Sequence, residues 1–229
     1  MSLSHSPQIS LNGLVLCLDA ANRKSYPGSG TTWTDLSGRG NNGTLTNGPT
    51  YSSSNGGSII FDGVDDYAEV PTTSSINDCL SGDFAYELWT FPKTNGFLYG
   101  KIFGKGAFQT STGFNGLVYQ TDNFTSGLQF SSSNLYIYLF TLPPNTWHHL
   151  VITRSGTTLS GYLNGNITSS NTTSFNFGGN YPLRISANSQ GIPDTTSQNL
   201  SVFRQYNRAL SASEIKQNYN ALKSRYGLT

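Results

Sequence analysis

The groups in this chain that could do chemistry are its carboxylates and imidazoles, and they are few. Among 12 acidic residues only Glu69, Glu87 and Glu214 are glutamates, each in a different stretch. Glycoside hydrolysis with retention needs two carboxyls about 5–5.5 Å apart, and no local spacing here would hold two glutamates that way. Glu214 already has another use, since it follows Ser211 by three residues and completes a capping box. His148 and His149 are adjacent, and neighbours on an extended segment point to opposite faces. They therefore cannot close on one ion; one imidazole is expected inside the fold, hydrogen-bonded, and the other at its surface. Asp62, Asp65 and Asp66 crowd one tight turn, where hard carboxylates can take calcium. The same aspartates are also turn formers whose side chains bond nearby amides, and both readings stand. No Gly-x-Ser-x-Gly, Ser-His-Asp spacing or phosphate-binding Gly-x-x-x-x-Gly-Lys is present. No catalytic residue is assigned, and the chain is read as a non-enzyme that requires no cofactor, with calcium as the candidate ion.

The stretch Trp147 to Asn166 gives the clearest view of the elements that must position these groups. Trp147, His149, Val151 and Thr153 fall on one face of an extended segment, and His148, Leu150, Ile152 and Arg154 on the other. Both faces carry apolar residues, so the strand is expected to be interior. Ser155-Gly156-Thr157 turns it, Thr158 to Leu163 returns, and Asn164-Gly165 supplies the positive φ that a tight hairpin demands. Further strands are expected at Leu14–Leu18, Gly43–Leu45, Thr50–Tyr51, Ser58–Phe61 and Tyr67–Val70. The last two are expected to pair across the Asp62 to Asp66 turn. Asp83 to Phe91 forms another strand, stopped by Pro92. Four or five short ones follow between Lys93 and Leu142, and Ser174–Phe177 and Leu183–Ile185 complete the set. A helix spans 211–226: Ser211 and Glu214 cap it, Leu210 and Ile215 staple it, Ile215, Tyr219, Leu222 and Tyr226 form its apolar stripe, and Gly227 ends it.

Composition narrows function. Only 11% of residues are charged and the net charge is +1, so no field steers the chain toward nucleic acid or anionic lipid. No apolar run approaches the length of a membrane span. The first ten residues lack the basic and apolar regions of a secretory leader. The expectation is a product that stays where it is made unless a larger particle carries it out. Cys17, within Leu14 to Leu18, reads as a small buried hydrophobe; a bridge to Cys79 is open but not implied. Carbohydrate recognition would need an aromatic ring beside amide and hydroxyl groups. The segment Asn95 to Tyr138 has these materials: Phe97, Tyr99, Phe103, Phe108, Phe114, Tyr119, Asn123, Phe124 and Tyr136. A sandwich core or an oligomer contact uses the same rings.

The pattern Trp-x-His-apolar-apolar-x-Thr-Arg, a Gly turn, then Leu-x-x-Tyr-x-Asn-Gly resembles the laminin-G-like group of the concanavalin A-like lectin and glucanase superfamily. Phe61 to Val70 and Val202 to Ile215 resemble its early hairpin and its closing strand and helix, and the likeness runs from about Leu14 to Tyr226. It implies an all-β fold: a two-sheet antiparallel jelly-roll sandwich with a short C-terminal helix, its strand edges covered by loops and that helix. One domain over 14–229 is expected, after an arm over 1–13. The superfamily's hydrolases carry Glu-x-Asp-x-x-Glu on one strand, which is absent here. Family members also bind calcium at the sandwich rim, which adds weight to the aspartate cluster. Leu14 to Asn22, Trp33 to Gly38 and Tyr206 to Ser211 look most like laminin-G-like proteins of tailed bacteriophages. That likeness implies a non-catalytic structural or adhesion component of a virion, such as a decoration, fibre or appendage module. It would bind other virion proteins, form a homo-oligomer, and take host-surface glycan as its ligand. A free-standing lectin is the alternative, and a polysaccharide depolymerase a second.

Overall fold

The computed structural model describes residues 8–77, 82–96, 98–105, 114–120, 123–130, 135–172, 180–187 and 195–229. The strands are β1 (Leu14–Asp19), β2 (Thr32–Trp33), β3 (Gly43–Thr46), β4 (Thr50–Ser52), β5 (Ser58–Phe61), β6 (Tyr67–Val70), β7 (Phe84–Gly96) and β8 (Tyr99–Gly104). They continue with β9 (Phe114–Gln120), β10 (Thr125–Phe130), β11 (Leu135–Thr141), β12 (His148–Ser155), β13 (Thr158–Leu163), β14 (Asn166–Thr172), β15 (Leu183–Ile185) and β16 (Thr196–Tyr206). Two helices join them, α1 (Ser74–Asn77) and α2 (Ala212–Leu222).

One sheet has the order β14-β13-β12-β7-β16-β5-β4 and the other β11-β10-β9-β8-β15-β6-β3-β2, all ladders antiparallel. In the first sheet, β7 pairs along β16 on one side, while β5 and then β1 share the other. The inner faces meet in a core that includes Leu16, Trp33, Phe61, Tyr86, Phe103, Leu117, Leu150, Ile152 and Phe203. Burial of each such side chain contributes roughly 1.5–3 kcal/mol.

β12 is interior, as its two apolar faces require. Leu150 and Ile152 enter the inter-sheet core. Val151, on the opposite face, packs with Leu210 and Ile215. The hairpin turns also form as read: Gly156 has φ 58°, and Asn164 and Gly165 have φ 51° and 75°. Around α2 the capping box is complete, with Ser211 Oγ accepting from Glu214 N at 3.3 Å and Glu214 Oε2 accepting from Ser211 N at 3.0 Å. The last turn tightens to a 3₁₀ helix over Lys223–Tyr226, and Gly227 closes it with φ 71°.

Four expectations are corrected. β5 and β6 do not pair with each other; β5 joins β4 and β16 in one sheet and β6 joins β3 and β15 in the other, so the aspartate loop crosses between layers. Five residues easily span the ~10 Å separation of packed sheets. β7 runs through Pro92 to Gly96. Its ladder to β12 ends at Thr90, so a residue without an N–H is tolerated on that side, while Pro92 still aligns with Gln198 of β16. The C-terminal helix covers a face rather than an edge: Tyr219 and Tyr226 pack with Trp89 and Val202 on the outer face of the first sheet. β2, a strand of two residues, forms where none was expected. The expected strand Ser174–Phe177 lies outside the described residues.

Candidate functional site

Two polar arrangements lie side by side on the outer face of the β7–β12–β16 sheet. The first is closed. Strand register sets Glu87 of β7 opposite Arg204 of β16 and Val151 of β12, and α2 lowers Asn218 onto it. Glu87 Oε1 accepts from Arg204 Nη1 at 2.8 Å and His149 Nε2 at 3.0 Å; Oε2 accepts from Asn218 Nδ2 at 2.7 Å and Tyr206 OH at 3.1 Å. Burial alone would raise this carboxyl's pKa, but the Arg204 charge and the His149 and Asn218 hydrogen bonds hold it down to about 2. Both oxygens are engaged and fully buried, so Glu87 cannot act on a substrate. Trp89, two residues along the same face of β7, flanks the cluster against His149 at 4.9 Å and is stacked on Tyr226 at 4.1 Å and Tyr219 at 5.9 Å.

The neighbouring histidines do point to opposite sides: His149 lies under α2 against Trp89, and His148 Nε2 donates to Pro143 O at 2.8 Å. The expected surface imidazole is not found, because both are buried. His149 occupies the face that would have been solvent had the helix not covered it. Burial pushes the His148 pKa down, which suits a neutral ring.

The second arrangement is open, a groove of about 410 Å³ between the β12–β13 hairpin and the segment leading into α2. Its floor follows from strand alternation: Leu159 enters the core, so Thr158, Ser160 and Tyr162 face outward, beside Ser155 and Thr153 of β12. Its wall is Arg208 to Ala212 with Glu214. Arg208 and Glu214 form a two-pronged ion pair, Nη2 to Oε1 at 2.5 Å and Nη1 to Oε2 at 3.0 Å. The Arg208 hydrogen bond first, then the capping bond from Ser211 and a hydrogen bond from Ser10 Oγ, hold the Glu214 pKa far below the usual carboxylate range despite some burial.

Asp62, Asp65 and Asp66 are brought together, with one ligand oxygen from each inside a 4.8 Å cluster. Their turn-forming role is visible too: Asp62 Oδ1 accepts from Val64 N at 2.7 Å and Asp66 Oδ2 from Asp62 N at 3.2 Å. Burial, and behind it the charges of Asp62 and Asp65, push Asp66 up to about 6. Three carboxylates fit one calcium ion only with several further oxygens, which water would have to supply on the exposed side.

The other two glutamates do not meet Glu87. Glu69 pairs with Arg184 at 2.8 Å on the opposite sheet, and Glu214 sits at the groove. Of the aromatic set expected to hold sugar, Phe103 and Tyr119 are core residues, and Phe124 packs against that core. Tyr99 and Tyr138 reach solvent from β8 and β11. Three strand spacings separate them, about 14 Å, too far to clasp a single pyranose ring. Asn123 lies in the turn before β10, where its Oδ1 accepts from Thr125. Phe97 and Phe108, and the side chains of Phe114 and Tyr136, lie outside the described residues. Cys17 is free and buried; Cys79 is outside the described residues.

The family model described as "Concanavalin A-like lectin/glucanases superfamily", of laminin-G type, matches residues 62–216. The chain belongs to this superfamily. No sequence among the curated proteins matches it. Among solved structures, the binding domain of Paraclostridial Mosquitocidal Protein 1 is similar, with TM-score 0.73 and 18% identity over 94% of this chain and 55% of that one. The receptor binding domain of botulinum neurotoxin C/D mosaic serotype gives TM-score 0.70 and 16% identity over 92% of this chain and 51% of that one. A Trypanosoma rangeli sialidase gives TM-score 0.67 and 17% identity over 95% of this chain and 34% of that one. This superfamily member thus spans about half the length of the toxin domains and a third of the sialidase; at these identities the likeness is one of fold.

Sequence reasoning missed the groove. Thr158, Ser160 and Tyr162 at alternate positions do signal an outward polar face, but the wall comes from Arg208 to Ala212, about fifty residues later, with no local sign that it returns beside β13.

Proposed function

We propose that this chain is a non-catalytic adhesion module that holds surface carbohydrate, carried on a tailed-bacteriophage particle as an oligomer bound to other virion proteins. The observation that carries the carbohydrate reading is the open groove beside α2, with hydroxyls along its floor and one half-buried tyrosine ring. A pyranose needs an apolar face to stack on and polar groups at its rim, and the groove supplies both. The solved structures it resembles include two binding domains, which accords with this reading. Against hydrolysis stand the three glutamates, one enclosed under α2 and the other two each paired with an arginine. The phage setting rests on the likeness of the Leu14 to Asn22 and Tyr206 to Ser211 wording. An oligomer on a particle would present many weak sites at once, which raises avidity without new contacts.

Isolated protein on a glycan array is expected to bind, and to release no reducing sugar from the glycan it binds. Antibody labelling is expected to place it on purified particles. Sugar release would overturn the non-catalytic reading, and absence from particles the virion reading. Tyr99 and Tyr138 offer a second surface for an extended oligosaccharide. A Tyr99→Ala, Tyr138→Ala variant is expected to keep its binding; loss there would move the site to that face.

A further inference from the structure

We infer that the groove beside α2 selects neutral saccharides and rejects acidic ones, because its two charged side chains have no hydrogen-bonding capacity left for a ligand. This rests on the groove being the carbohydrate site.

A guanidinium has five N–H donors, and all five of Arg208 are engaged within the protein. Nε donates to Asn12 O at 3.0 Å. Nη1 donates to Ala209 O at 2.9 Å and Glu214 Oε2 at 3.0 Å. Nη2 donates to Ser10 Oγ at 3.1 Å and Glu214 Oε1 at 2.5 Å. A carboxylate or sulfate on a ligand would have to break one of these bonds and compete with a carboxylate already seated two-pronged, the strongest geometry an arginine offers. Glu214 is equally committed: besides Arg208 it accepts from Ser10 Oγ at 2.9 Å, and from Ser211 N and Oγ at 3.0 and 2.9 Å. The start of α2, which would otherwise favour an anion, is capped by the same Ser211 and Glu214.

The floor differs. Ser155, Thr158 and Tyr162 have hydroxyls with no partner among the described residues, while their strand neighbours fix their spacing. Side chains on one face of a strand recur about every 6.8 Å, so Thr158 and Tyr162 lie two such steps apart, long enough for two or three sugar units. These groups can donate or accept and carry no charge. A neutral polyhydroxyl chain can satisfy them, whereas an acidic unit finds no free cation among the described residues that line the groove and faces the Glu214 carboxylate.

The test uses the full chain against two matched glycan panels, neutral hexose polymers and their uronic-acid, sialylated or sulfated counterparts. Binding is expected for the neutral panel, with affinity unchanged between about 50 mM and about 500 mM salt, since no ion pair forms. Tyr162→Ala is expected to weaken binding about tenfold or more, and to lower the thermal midpoint by a few degrees while the chain stays folded at the assay temperature, because the ring also packs on the Val151 cluster. Glu214→Gln frees part of the Arg208 fork, so this variant is expected to gain salt-sensitive binding to an acidic glycan. Preference of the native chain for acidic glycans, abolished by Tyr162→Ala, would overturn the charge inference and keep the groove. Glycan binding indifferent to Tyr162→Ala would overturn the groove itself. No binding to either panel would overturn both.

Discussion

The Glu87–Arg204 and Glu214–Arg208 pairs use the same two side-chain types on the same sheet face, and their surroundings make them different devices. Glu87 and Arg204 are 0% and 2% exposed, under a helix and beside a layer of stacked rings. Glu214 and Arg208 are 26% and 27% exposed, on the rim of a groove. Inside, a charge pair is worth little compared with a good apolar core, but breaking it is costly because the survivor has no water to turn to. At the rim the survivor is resolvated, and the pair mainly sets geometry and local charge. The contrast teaches that the inner pair locks the helix down, while the outer pair sets the chemistry of the groove.

The sharpest way to break the comparison is to remove one acid at a time. Glu87→Gln is expected to cost about 3–5 kcal/mol, since Arg204 is left charged and buried. Glu214→Gln is expected to cost about 1 kcal/mol or less, losing part of a capping box and an exposed pair. Chemical denaturation of both variants measures the difference; equal losses would show that the helix does not enclose Glu87. The pH profile sharpens it further. Glu87 is held at about 2 in the folded chain, below its unfolded 4.5, so its contribution is complete above about pH 4.5 and is lost as pH falls toward 2. A thermal midpoint that drops over that window in the native chain, and much less in Glu87→Gln, is the expected result.

How much of this was legible in the chain depended on distance in sequence. The β12–β13 hairpin, the capping box and the apolar stripe of α2 were readable because each is encoded within a few residues, by alternation, by Ser211 with Glu214, and by a 3.6-residue period. The pairing of β5 and β6 was misread because Asp62 to Asp66 looks like a hairpin turn, and nothing local says that the next strand joins the other sheet. Glu87 is the instructive case. Its neighbours Tyr86 and Leu88 marked a strand, but its partners Arg204, Tyr206 and Asn218 come more than a hundred residues later, so an enclosed cluster read as an isolated glutamate. The groove failed for the same reason, with its floor visible and its wall not. Burial of both imidazoles followed from the same omission, because helix α2 was expected to cover edges and in fact covers a face.

The aspartate loop gives an effect whose sign is opposite to that of Glu87. Asp66 is raised to about 6 from an unfolded 3.8. The folded chain therefore holds the proton more tightly, and stability falls as pH rises from about 4 through about 6. Above that window the buried carboxylate is a cost. Asp66→Asn removes the charge but keeps an oxygen able to accept from Asp62 N, so the variant is expected to be more stable than the native chain at neutral pH, by up to about 3 kcal/mol. That advantage should shrink to nothing near pH 4, where the native side chain is already largely neutral. Thermal melts of the two proteins at both pH values, in chelator, measure it. Repeating the neutral melt in millimolar calcium then separates the two uses of the loop. An ion held between Asp62, Asp65 and Asp66 would stabilise the native chain and close the gap from that side, whereas a gap indifferent to calcium would leave the three carboxylates as builders of the crossing between the sheets.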